Sequence, residues 1–168
     1  YVLVVVAALY GLAPISDGDV FWNLNVGAWL LDNFALLPAD DPFTYNAQSG
    51  GVQHEWLVQV VMAAIERAFG LNGLRLVGSI VAASAVLVAH RSFTGRGVRQ
   101  THAIAATSLW WIVVEPHAVL RPHLVGWLFA LWVLGVRFSA SPQVPVTKRS
   151  LGTLFLICVV WANAHASV

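Results

Sequence analysis

Three separated stretches carry the side chains that could do chemistry. The first holds Asp17, Asp19, His54 and Glu55, the second Glu115, His117, Arg121 and His123, and the third Asn163 and His165. Asp17-Gly18-Asp19 sets two carboxylates either side of a glycine that permits a tight turn. Such a pair can hold a hard divalent cation through oxygen, or one member can act as general base toward a hydroxyl. The plainer alternative is a helix-ending turn with solvated acids. His54-Glu55 either reaches the same cavity or starts a helix, where an acid is favoured by the dipole. Asp40-Asp41 precedes Pro42 and reads as a turn. In Arg121-Pro122-His123 a guanidinium can grip a phosphate through two parallel hydrogen bonds, or can snorkel at an interface. Glu115 has Arg121 or His117 as an expected partner. His165 is a candidate proton carrier, phosphate donor or metal ligand, or simply a helix-end residue in water.

The elements that must position these residues are strongly apolar. Of the residues, 58% are hydrophobic and only 10% charged, with a mean hydropathy of +0.73. Soluble domains carry about 25% charged residues, so the composition points to a membrane. A spanning helix needs about 20 mostly apolar residues. Five candidates follow: 1–15, 73–90, 101–120, 122–138 and 150–163. The first lacks a signal peptide's basic start and reads as a clipped span; the chain is expected to be a piece of a longer polytopic protein. Eight Trp fit aromatic belts at the interfaces.

Between the first two spans lies a large loop, 16–72. Its part from Ser16 to Trp56 contains six of the eight acids and no Lys or Arg. Two shorter helices are expected inside it. One covers 20–32, with Phe21, Leu24, Ala28 and Leu31 at helical spacing. The other covers 55–69, with Trp56, Val60, Ala63 and Ala64. Each is too short to span and suits a membrane-parallel position. Arg91, Arg96 and Arg99 fall in one later loop, and Arg137, Lys148 and Arg149 in another. Basic loops are cytoplasmic, and five spans put both on that side. The acidic loop, the 115–123 turn and the 163–165 end then share the outer side. Arg67 and Arg75, also outside, count modestly against this topology.

Other chemistries are not indicated. There is no Gly-rich phosphate loop, no HExxH and no GxSxG elbow. The single Cys158 allows no disulfide framework. A net charge of +1 gives no sign of nucleic acid. No internal repeat is evident, which ranks a transporter with repeated halves below an enzyme. A non-catalytic membrane protein of the same fold stays open.

The order DGDVFWNLNVGAWLLDN, LPADDPFTYNAQSGG, HEWL, RPHL and WANAH resembles the bacterial polytopic membrane proteins related to GT-C glycosyltransferases. The resemblance covers nearly the whole chain. It implies an all-α membrane protein with about five transmembrane helices and two juxtamembrane helices in the first outer loop. It implies multi-pass residence in the bacterial plasma membrane and transfer of a sugar from a polyprenyl-phosphate donor, on the outer face, to an acceptor the sequence does not name. The family's acidic motif matches Asp17 and Asp19, with Glu55 beside them as a further catalytic candidate. The phosphate and cavity candidates are His54, Arg121, His123, Asn163 and His165. A divalent cation (Mg2+ or Mn2+) on Asp17 and Asp19 is left open. The aromatic stretch after the acids often ends in His; Asn23 stands there, leaving a metal or proton role at that place unsupported.

Overall fold

The computed structural model of the chain describes residues 2–34, 55–115, 120–139 and 147–165. Among them every regular element is a helix: α1 (Val2–Gly11), α2 (Gly18–Asn33), α3 (Trp56–Thr94), α4 (Gln100–Val114), α5 (Pro122–Ser139) and α6 (Lys148–Ala164). The all-α expectation is met. His54, His117 and the Asp40-Asp41 pair lie outside the described residues.

Helix α3 touches all five of the others. It is broken once, at Gly70, whose φ of 64° and ψ of −170° belong to a region only glycine enters freely. The expected pair 55–69 and 73–90 is therefore joined through a single non-helical residue rather than a loop. The arm after the break, 71–94, rises about 36 Å, enough for a hydrocarbon layer of about 30 Å. Among the described residues α3 is the one helix long and apolar enough to cross a membrane.

The arm before the break does not run the length of the bundle. At its start, Trp56 meets Asn163 and Glu55 meets His165, at the end of α6. Just past its finish, Leu74 packs with Leu120, next to the start of α5, and Arg75 donates to Leu12 O at 2.8 Å, at the end of α1. These partners all lie at one end of the bundle. Helix α2 runs parallel to this arm: Asn23 meets Gln59 and Asp32 meets Arg67.

The faces that pack are chosen by small and amide residues. Gly27 lies so close to Gln59 that a Cβ would fall 1.9 Å from its carbonyl oxygen. Buried Asn23 donates to Asp19 O at 2.8 Å and accepts from Gln59 Nε2 at 2.9 Å. On α2 the buried set is Val20, Asn23, Leu24, Val26, Gly27 and Leu30, while Phe21 and Trp22 are exposed. The expected face through Phe21, Ala28 and Leu31 is thus turned by about one residue. On the first arm of α3 the buried residues are Val58, Gln59, Met62 and Ala63, so Trp56, Val60 and Ala64 flank the packed face instead of forming it. Further along, Gly78, Ser79, Ala82, Ala85 and Ala89 are buried. Small residues let helix backbones approach, and Ser79 Oγ reaches Ala8 O at 2.7 Å.

Two core clusters result. Val20, Leu24, Val58, Met62, Leu74, Leu120 and Ala164 weld α2 and the first arm of α3 to the ends of α5 and α6. Ala7, Ala82, Val86, Trp111 and Leu124 fill the middle of the bundle. The outward surface is apolar too: Val2, Val5 and Leu9 on α1, Leu109, Ile112 and Val113 on α4, and Phe155 and Leu156 on α6 are exposed.

Candidate functional site

Four helix ends meet above the first cluster: the N-termini of α2, α3 and α5 and the C-terminus of α6. Each delivers side chains. Asp17 is the N-cap of α2, in extended backbone, and its Oδ1 accepts the Asp19 N–H at 3.0 Å. The cap satisfies one of the orphan donors of the first turn. Asp19 follows within that turn, where the dipole favours an acid. Arg121 precedes Pro122, a residue suited to a first helical position, and its carbonyl accepts from Leu124 N at 3.0 Å.

Arg121 reaches across to both acids. Its Nη2 pairs with Asp17 Oδ2, and its Nη1 lies 2.9 Å from Asp19 Oδ2. The Asp17 and Arg121 side chains are 20% and 28% exposed, whereas Asp19 is 67% exposed. Arg121 Nε is buried and has no acceptor among the described residues. Burial raises the Asp17 carboxyl, but hydrogen bonds from Arg121 and the Asp19 amide, with the charges of Arg121 and His123, outweigh it and hold its pKa below the ordinary 3.8.

The polar row continues from this triad. The His123 ring lies 6.4 Å from that of His165 and 5.1 Å from that of Trp127, both edge-on. His165 caps the end of α6, its Nε2 3.2 Å from Glu55 Oε1. Glu55 makes no side-chain cap bond to α3, which frees its carboxylate for this contact. Trp56 Nε1 donates to Asn163 Oδ1 at 2.9 Å. Gly126 makes the approach of α6 possible, since a Cβ there would sit 3.3 Å from Trp161 Nε1 and 3.5 Å from His165. A hollow of about 170 Å3 adjoins Asp17, lined by Tyr10, Ser16, Leu74, Arg75 and Leu120; its size and polar lining suit it to hold water.

Seven of the eight candidates, Asp17, Asp19, Glu55, Arg121, His123, Asn163 and His165, therefore gather at one end of the bundle. His54 falls outside the described residues. The expected Glu115–Arg121 pair does not form: Arg121 is taken by Asp17 and Asp19, and Glu115 lies beside Tyr10. No group of three or more His, Cys, Asp or Glu able to hold a metal occurs among the described residues. A divalent cation on Asp17 and Asp19 would have to displace the guanidinium already lying between them.

Sequence reasoning missed three participants. Trp56 is read as an apolar helix residue, yet its N–H fixes Asn163. Arg75 closes the hollow by donating to Leu12 O, and Arg67 pairs with Asp32 at 2.8 Å. Both arginines that weigh against the expected topology are thus satisfied by partners on the same end of the bundle. The only available signal was their closeness in sequence to the acidic loop.

The fold and this row define an all-helical bundle with an ionic centre at one end. Comparison with family models, curated proteins and solved structures returned no match.

Proposed function

We propose that the chain belongs to a polytopic membrane glycosyltransferase that moves a sugar from a polyprenyl-phosphate donor to an acceptor hydroxyl on the extracytoplasmic face. The observation that carries this reading is the guanidinium of Arg121 set between Asp17 and Asp19 at one end of an apolar bundle. A membrane setting is supported by the apolar outward faces of α1, α4 and α6, since soluble proteins rarely expose contiguous apolar patches of that kind. It is also supported by the length of α3. Five spans, formed by α1, the second arm of α3, α4, α5 and α6, leave α2 and the first arm of α3 lying along the outer interface.

The roles divide by exposure. Asp17, enclosed and held as the carboxylate, keeps Arg121 in place. Arg121 offers cationic donors to the donor's phosphate, with His123 and His165 alongside. Phosphate oxygens that take over Nη1 release Asp19, the exposed acid. Asp19 then accepts the proton of the acceptor hydroxyl as that oxygen bonds to the anomeric carbon. The bond from the anomeric carbon to the phosphate oxygen breaks, its electron pair leaves with polyprenyl phosphate, and the configuration inverts. Glu55, paired with His165, and Asn163, fixed by Trp56, orient the acceptor. Because the ionisable groups of this row gather at one end, transfer at a surface is preferred over transport across the middle.

The test is transfer by the full protein in proteoliposomes supplied with radiolabelled polyprenyl-phosphate hexoses and pentoses. Asp19→Asn should lower transfer by about 10²–10⁴-fold, the usual worth of an acid–base group, and Asp17→Asn should lower it by loosening Arg121, neither of them lowering membrane expression. Arg121→Gln should raise the donor KM. Wild-type transfer by both Asp variants removes the acids from the mechanism; no transfer by the wild type from any such donor removes the reading.

A further inference from the structure

The opposite end of the bundle carries a second cleft, between α1, α3 and α4, of about 440 Å3. Its walls are apolar, among them Leu3, Val86, Leu87 and Ile104, and its rim holds His90, Arg91, Gln100 and Thr107. The rim is hydrogen-bonded in one direction. Thr107 Oγ1 donates to Ala103 O at 2.7 Å, so its oxygen faces His90 Nδ1, 3.5 Å away, as acceptor. Gln100 Nε2, which can only donate, lies 3.2 Å from His90 Nε2. This assigns the proton to Nδ1 and leaves the second N–H of Gln100 available.

The charge around the cleft has one sign. No Asp or Glu occurs between Glu66 and Glu115, and Arg91, Arg96 and Arg99 lie in that interval. The Arg91 carbonyl accepts from Gly95 N at 2.8 Å, while its guanidinium makes no hydrogen bond or ion pair with another described residue. Helix α4 starts at this rim with Arg99 as its N-cap, no side-chain cap bond and no acid in its first turn, so its first N–H groups present an uncompensated positive end. At the other end of the molecule Arg67, Arg75 and Arg121 all have oxygen partners.

We propose that this cleft binds one anionic glycerophospholipid, its phosphate on Arg91 and Gln100 and an acyl chain between α1, α3 and α4. A free anion would use the rim and leave the apolar walls empty; a phosphate-headed lipid matches both. Basic pockets between membrane helices hold such headgroups. The inference rests on the membrane placement of the chain and not on its chemistry, so it survives loss of the transferase reading.

The experiment uses the full protein in nanodiscs of phosphatidylglycerol and phosphatidylcholine, with retained lipid counted by native mass spectrometry after transfer to detergent. One phosphatidylglycerol per chain is expected. Arg91→Gln should lower its occupancy about tenfold, the loss of a charged hydrogen bond, and Ile104→Trp, which fills the cleft, should expel it with the rim intact. Arg149→Gln, a charge outside the cleft, should leave it bound. Equal losses in Arg91→Gln and Arg149→Gln mean diffuse attraction and overturn the site. So does equal retention of phosphatidylcholine, or displacement by millimolar inorganic phosphate. A chain that carbonate strips from membranes overturns the placement and the site together, whereas a membrane-embedded chain without transferase activity leaves the lipid site standing.

Discussion

The two arms of Arg121 differ in enclosure, and that difference fixes an asymmetry that can be measured. Exposed ion pairs contribute about 0.2–1 kcal/mol, while breaking a buried pair costs about 3–5 kcal/mol because a charge is stranded. The Asp19 arm, with its acid 67% exposed, belongs to the first class. The Asp17 arm, at 20% and 28% exposed, falls between, and the capping bond to the Asp19 amide pre-orders its carboxylate. We expect a coupling energy of about 1–3 kcal/mol between Asp17 and Arg121 and under about 1 kcal/mol between Asp19 and Arg121. Two double-mutant cycles, Asp17→Asn with Arg121→Gln and Asp19→Asn with Arg121→Gln, measure both by denaturation of the full protein in detergent micelles. Each cycle cancels whatever the single substitutions do to caps or helix propensity. Couplings that are equal, or larger for Asp19, would show that enclosure does not set the strength of this centre. The division of roles between the two acids would fall with it.

Acid should weaken the fold through the same carboxylate. Folding lowers the Asp17 pKa below 3.8, so the unfolded chain takes up its proton first. The resulting stabilisation is complete above that value and is lost as pH falls through the lowered one. Denaturation followed between pH 5 and 2 should show this slope in the wild type and a shallower one in Asp17→Asn; identical slopes would refute it. Gly70→Ala adds no clash, because a Cβ would meet nothing within 4 Å. It should still cost about 1–3 kcal/mol through the backbone conformation alone, read as a lower denaturation midpoint. Gly27→Ala should cost a similar amount by the opposite route, through overpacking against the Gln59 carbonyl. A second change at Gln59 would relieve neither, since in one case the strain is local and in the other the obstacle is backbone.

Helix positions were legible because their ends are written in local chemistry. Pro122 opens α5, Ser16-Asp17 separates α1 from α2, and the charge-rich 91–99 stretch separates α3 from α4. The gathering of Asp17, Arg121 and His165 was legible only as a count of crossings that placed three stretches on one side. Their pairing was not, since contacts 104 residues apart leave no trace in spacing. The face of α2 was misread for a physical reason. The packed face includes the polar Asn23 and leaves Phe21 and Trp22 outside, so apolar periodicity points to the wrong face, and close approach at Gly27 decides it instead. Gly70 was expected within a short loop; only its positive φ makes it a one-residue break.

That break, together with the parallel pairing of α2 and the first arm of α3, divides the molecule along a seam. Asn23–Gln59, Asp32–Arg67 and the Gly27 contact bind α2 and the arm into one body. Within the described chain this body joins the remainder covalently at Gly70 and at the 12–17 turn. Asp19 and Glu55 ride on it; Arg121 and His165 ride on the other side. The Asp17–Arg121, Asp19–Arg121, Glu55–His165 and Trp56–Asn163 contacts then cross the seam above the apolar packing of Val20, Leu24, Val58 and Met62 against Leu120 and Ala164. The polar contacts across the seam therefore share one apolar foundation, so a substitution that loosens that packing disturbs all of them at once.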